Sequence, residues 1–482
     1  MGSPAGAGEG GVDGGAGLAL AVACDDTIGS IYDDPGALPP DNGAILRCAR
    51  DVDISRTDLE ARARANASGD SAPAQNGAYD GKPFTSGARV YRVLFRTERG
   101  DGTRSPGYSS AKVFLPDTPR AASLPVVVGA RGSRGQAPAC TASKEDPAAD
   151  AVNPDYRALA YPLVGLGFPV IIPDLAGYAG FGAAGNPVSA YGLVTDVGKG
   201  TLDGARAMRK LVRAGLDDQT VLVGHSQGGD SALASLAIAA SYAPDVHIAA
   251  VALYAPLWFS QRSWAALFQA ASQLPIHGAA GANAVSVWYH YTHGELLDGP
   301  GHGGDVFAAD KRDAIKDFVD NDCWGSSYPR LEALGTTSLD LFDPTFIGSV
   351  KAAAALGQPC KDGDALCAKW IARYLADRPH LTAAAATTPL LITYGTSDQT
   401  IPPQAMACVF DRLTEDQARL KVCLTPGFGH GGNVRRSSGY VVDWIAARTL
   451  ATPEPDGCAV DQSGLVEDGG APVACGTFPP ND

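Results

Sequence analysis

The pentapeptide Gly224-His225-Ser226-Gln227-Gly228 constrains this chain most, because of where it stands: an apolar stretch, residues 220–224, gives way there to a small-residue helical stretch, residues 227–240. A strand that turns this sharply into a helix has no room for side chains at the flanking glycines, and the central serine is thrust out above the strand end. Such a turn needs strand and helix packed in layers, and the rest of the chain supplies them. Strands are expected at residues 90–97, 108–115, 124–129, 168–172, 220–224 and 246–254, with helices at 156–166, 196–214 and 227–240. The alternation resumes with strands at 389–394 and 420–424 and helices at 404–413 and 433–447. This rhythm predicts an α/β protein with a mostly parallel central sheet flanked by helices.

Between the sixth and seventh strands, residues 256–388 carry no convincing strand but show helical patches at 263–274, 305–320 and 365–376. A connection of that length is expected to be a functional, mainly helical insertion, a cap or lid over the sheet. The expected division is therefore an irregular lead-in at 1–88, a catalytic domain at 89–255 and 389–450, the cap at 256–388, and a Pro/Gly-rich tail at 451–482.

Ten cysteines, several in close pairs, include no C-x-x-C motif, so structural disulfides are expected rather than a zinc ribbon or a redox site. The pairs are Cys24 with Cys48, Cys360 with Cys367, Cys408 with Cys423 and Cys458 with Cys475; Cys140 with Cys323 is what remains. Disulfides imply an oxidising, extracellular compartment. Residues 1–17 lack a positive segment and carry Glu9 and Asp13, so they read as a start left after removal of a signal rather than as the signal itself. No apolar run is long enough to cross a bilayer. Acidic residues outnumber basic ones 52 to 38, with no dense Lys/Arg run, which argues against a nucleic-acid partner.

A serine hydroxyl becomes a nucleophile only when a base takes its proton and an acid holds that base in the right tautomer. In a layered α/β protein with this elbow the partners follow the serine in the order acid, then histidine. Asp398 lies just beyond the strand ending at Tyr394, and His430 lies in a glycine-rich loop between the last strand and the last helix. Ser226, Asp398 and His430 are the expected catalytic residues. Two backbone donors must face the developing oxyanion. The amide of Gln227 is one, and Gly132 or Ser133, in the loop after the third strand, supplies the other. Arg131 and Arg134 in that loop either steer an anionic group or are solvated charges.

Trp258, Phe259, Trp264 and Phe268 are candidates to line an acyl-binding wall, or else are cap core. His290, His293, Glu295, His302 and Asp305 cluster in sequence but match no established ligand spacing, so no metal and no cofactor is expected. Asp174 precedes the serine and is expected to be structural, and His225 is expected to pack against the sheet.

Taken together, the chain resembles the secreted lipase family of the α/β-hydrolases, which includes the fungal A-type lipases and bacterial secreted esterases. Besides the elbow, the likeness rests on residues 90–97, on 125–140 ending in a cysteine, and on 168–177 followed by 194–208; Arg131-Gly132 stands where bacterial relatives commonly have His-Gly. The resemblance implies an α/β-hydrolase fold, a helical cap between strands 6 and 7, and a secreted serine esterase or lipase acting on a small-molecule, lipid or polyester substrate. Two rivals are a prolyl-oligopeptidase-like peptidase, for which the lead-in is too short to form a propeller, and a non-catalytic binding protein on a hydrolase fold.

Overall fold

Apolar runs such as residues 124–130 and 221–224 are buried on both sides, because alternate side chains of a strand feed opposite faces of a sheet. Val126, Val128, Leu222, Val251 and Leu253 enter one core with helix residues Leu202, Met208, Leu233 and Met406. Their neighbours Val127, Val221, Val223, Ala250 and Ala252 enter the other core, with Leu59, Tyr161, Val441 and Trp444. The sheet is thus sandwiched between helical layers in the computed structural model, which describes residues 18–65, 77–147, 156–180, 187–271, 275–325, 328–356 and 359–456.

The strands are β1 (Ala19–Leu20), β2 (Ile45–Ile54), β3 (Ala88–Glu98), β4 (Pro106–Pro116), β5 (Leu124–Ala130), β6 (Val170–Ala176), β7 (Val212–Ala214), β8 (Leu216–His225), β9 (His247–Tyr254), β10 (Leu390–Gly395) and β11 (Leu420–Thr425). Nine form the main sheet in the order β11-β10-β9-β8-β5-β6-β4-β3-β2. Pairing is parallel from β6 through β5, β8, β9 and β10 to β11, and antiparallel among β6, β4, β3 and β2. Helices α1 (Arg56–Arg64), α2 (Tyr161–Gly165), α3 (Val194–Leu211) and α4 (Gln227–Tyr242) precede the break in the alternation. After β9 come α5 (Gln261–Ala271), α6 (Ala280–His293), α7 (Arg312–Asn321), α8 (Tyr328–Glu332), α9 (Pro344–Leu356), α10 (Ala365–Ala376) and α11 (Ala383–Ala386), with no strand of the main sheet among the described residues. Helices α12 (Pro403–Glu415) and α13 (His430–Thr449) follow β10 and β11 respectively.

The lead-in is less irregular than its composition suggests. Its residues 45–54 form β2, the outer strand of the sheet, paired antiparallel to β3 and tied to the chain before it by the Cys24–Cys48 disulfide. The helix expected at 196–214 stops at Leu211, where Val212–Ala214 instead pairs with Ala19–Leu20. β6 begins after Pro169, which has no N–H to give a ladder, and runs on to Ala176. Cys140–Cys323 and Cys360–Cys367 are bonded as expected, and Cys408 and Cys423 are both in disulfides. Cys458, Cys475 and the tail from 457 lie outside the described residues.

The order β11-β10-β9-β8-β5 matters most for function. The loops after β5, β8, β10 and β11 all leave the carboxyl edge of this parallel stretch, where open α/β sheets place their reactive groups.

Candidate active site

Ser226 follows β8 directly and caps α4 with φ 55° and ψ −121°, a conformation that is costly for a residue with a side chain. Four backbone hydrogen bonds hold it. Its N–H donates to Tyr254 O at 3.0 Å, and its carbonyl accepts from Gly229 N at 2.9 Å, Leu257 N at 2.8 Å and Asp230 N at 3.4 Å. The flanking glycines are sterically required: a Cβ on Gly224 would sit 2.2 Å from Gly228 O, and one on Gly228 would sit 1.9 Å from Ala130 O. The second contact presses the elbow against the end of β5, so the loop after β5 starts beside the serine.

Asp398 is buried just beyond β10, and its Oδ1 accepts from Thr400 N at 2.8 Å and Ile401 N at 2.9 Å. Its Oδ2 lies 2.7 Å from His430 Nδ1. A carboxylate can only accept, so Nδ1 carries the proton and Nε2 is left as the basic nitrogen. The segments carrying Asp398 and His430 touch, since a Cβ on Gly395 would come within 2.0 Å of Phe428 O. His430 is the first residue of α13 rather than part of a loop before it, so a rigid helix end positions the ring. His225 is buried at the end of β8, and its ring lies against that of His430, centroid to centroid 4.5 Å. Its place directly before Ser226 is the sequence signal that could have indicated this contact.

The loop after β5 is built from buried polar contacts. Arg131, 4% exposed, donates to Gly132 O at 3.1 Å and to Asp174 O at 3.0 Å, with its guanidinium over the Tyr178 ring. Asp174 itself accepts from Ser143 N at 2.9 Å and Ser110 Oγ at 2.6 Å, a structural part as expected. Arg134 is ion-paired with Glu145. Arg131 therefore serves the loop's own architecture and is not a solvated charge, whereas Arg134 is partly exposed and paired. A trans peptide is planar with C=O and N–H opposed. With Gly132 O turned to the Arg131 guanidinium, the Ser133 N–H points the other way. Gln227 opens α4, where the first N–H groups have no intrahelical acceptor.

The four aromatic candidates divide. Trp258 joins the core beneath the sheet. Phe259, Trp264 and Phe268 belong to the insertion's own core, where Trp264 packs against Phe259, Tyr289, His290 and Tyr374. These side chains are enclosed core rather than an open wall. His290 is bonded through Nδ1 to Ser286 O and through Nε2 to Tyr374 Oη, and burial pushes its pKa down to about 3. His293 Nε2 donates to Tyr191 O. Two buried carboxyls lie nearby. Asp230, in the first turn of α4, is raised well above the usual carboxylate range by burial and by Asp377, while burial lifts Asp377 to about 7.

Residues 152–258 match the family model described as "Secretory lipase". No curated protein matches the sequence. Among solved structures, the rice cell wall degrading esterase LipA from Xanthomonas oryzae is similar at 16% identity and TM-score 0.61, covering 86% of this chain and 99% of that one. Candida antarctica lipase A in its closed state is similar at 16% identity and TM-score 0.56, covering 83% of this chain and 82% of that one. The segment from 152 to 258, which contains β6, α3, β8 and the serine elbow, thus carries the sequence pattern of the secretory lipases on an α/β-hydrolase fold.

Proposed function

We propose that the protein is a secreted serine carboxylic-ester hydrolase, a lipase or esterase, with Ser226, His430 and Asp398 as its triad. The carrying observation is the 2.7 Å contact of Asp398 with His430 Nδ1, on a base whose ring lies against the residue preceding the strained serine. The secretory-lipase match and the two ester-hydrolysing structural relatives support the same reading, and the disulfides fit an extracellular setting.

His430 Nε2 takes the Ser226 hydroxyl proton as Oγ attacks the ester carbonyl, and the negative charge settles on the carbonyl oxygen. The amides of Gln227 and Ser133 are the donors proposed to face that oxygen. Collapse of the tetrahedral adduct expels the alcohol, which leaves with the proton held by His430. Water then attacks the acyl-serine by the same steps in reverse, releasing the acid and restoring the hydroxyl. Helices α5–α11 act as a cap that walls the site from solvent. Substrates are small-molecule or lipid esters, and no helix among the described residues is long and apolar enough to cross a membrane.

Ser226→Ala is expected to abolish turnover of a short-chain nitrophenyl ester and labelling by a fluorophosphonate, with the circular dichroism spectrum unchanged. Turnover retained in that variant would sink the assignment.

A further inference from the structure

We propose that Tyr191 is a positioning residue through which the helical insertion sets the oxyanion loop, a role that rests on the ester-hydrolase reading above. Tyr191 is fully buried before α3, its ring packed against Phe259 at 5.9 Å and Trp288 at 5.7 Å. The insertion also grips its backbone. Its N–H donates to Thr292 Oγ1 at 3.0 Å, and its carbonyl accepts from His293 Nε2 at 3.1 Å, both residues at the end of α6. Three residues on, Val194 N donates to Asp377 Oδ1 at 3.3 Å, from the end of α10. The segment 191–194 is therefore fixed by the insertion at both ends.

The Tyr191 hydroxyl reaches in the opposite direction, to Ser133 Oγ at 2.5 Å in the loop after β5. Burial pushes the phenol's pKa up, so it remains a neutral hydroxyl. Ser133 is one half of the peptide whose N–H is the proposed second oxyanion donor. The other half, Gly132, is held through its carbonyl by Arg131 at 3.1 Å. Arg131 is anchored in the sheet domain through Asp174, whereas Tyr191 is anchored in the insertion. The direction of the Ser133 N–H is thus set by one clamp from each part of the molecule. A donor must be held to within about 0.5 Å and 10–20° to stabilise a transition state. Releasing either clamp should therefore lower kcat and leave ground-state binding alone.

The test uses the intact protein and a chromogenic short-chain ester. Tyr191→Phe keeps the ring and removes only the hydroxyl. It is expected to lower kcat about tenfold with KM within about twofold, and to weaken binding of a boronic acid that mimics the tetrahedral adduct by the same factor, as expected for an interaction realised in the transition state. Ser133→Ala should match it, and the double variant should be no worse than either single one, because both remove one bond. Tyr374→Phe serves as a control: it removes a buried hydroxyl bond to His290 inside the insertion, and should lower the thermal midpoint without changing kcat. Full kcat in Tyr191→Phe, or additive losses in the double variant, would overturn the coupling alone. If the parent protein neither hydrolyses esters nor takes up a fluorophosphonate, the hydrolase reading fails and the coupling falls with it.

Discussion

The two oxygens of Asp398 do different work. Oδ1 is committed to the amides of Thr400 and Ile401, so the loop keeps its shape as long as an oxygen stays there, while Oδ2 alone faces His430. Asp398→Asn preserves the first function and spoils the second by presenting an NH2 to Nδ1, which inverts the imidazole tautomer. A loss of about 10³–10⁴-fold in kcat is expected, with the thermal midpoint close to that of the parent; a loss under tenfold would argue against the triad. Asp377 makes a separate prediction, about stability. Its pKa is raised to about 7 in the folded protein, against about 4 for an ordinary carboxyl. Folding thus favours its neutral form: the contribution is complete below pH about 4 and is lost as pH climbs towards 7. Asp377→Asn, neutral throughout, should flatten the decline of the thermal midpoint across that window, and an unchanged slope would show that another group controls it.

At the scale of elements, glycines separate what the elbow requires from what a helix merely tolerates. Gly228→Ala would drive a Cβ into the Ala130 carbonyl and should cost more than about 3 kcal/mol, seen as loss of soluble folded protein. Gly348, exposed in α9, has nothing within 4 Å of the place a methyl would take, and should instead gain about 0.5–1 kcal/mol as alanine, measurable as a higher midpoint in thermal melts. The elbow, the flanking strands and the placing of Asp398 and His430 at strand ends were legible because each depends on local rules: steric room at glycine, alternating burial, and loops at strand ends. β2 was not legible. Residues 45–54 read Ile-Leu-Arg-Cys-Ala-Arg-Asp-Val-Asp-Ile, and an edge strand that is half exposed need not be apolar. Helices α6 and α9 were missed for a different reason. Both are packed within an aromatic core that the insertion forms from residues distant in sequence, so no single amphipathic stripe announces them. The roles of Arg131 and Tyr191 depend on partners 43 and 58 residues away, beyond any local pattern.

For the whole molecule, the disulfides differ chiefly in how much chain they close. Cys140–Cys323 spans 183 residues and Cys360–Cys367 spans 7. Loop-closure entropy assigns about 5 kcal/mol to the first and about 2 kcal/mol to the second. Replacing Cys140 and Cys323 by alanine should therefore lower the thermal midpoint well beyond the effect of replacing Cys360 and Cys367, and equal effects would contradict the entropic account. The long bond joins the segment that follows the loop after β5 to the chain just after α7, and Trp324 N, next to Cys323, donates to Arg134 O at 2.9 Å. This connectivity sets an order of events. The covalent tie on the chain that follows the loop beside Ser226 forms only after a residue 183 positions beyond Cys140 has been made and oxidised. On refolding from the reduced state, helical signal should return first and ester turnover only in step with the Cys140–Cys323 bond. Catalytic competence would then be timed by the redox state of the surroundings rather than by synthesis, leaving the chain silent until it meets an oxidant.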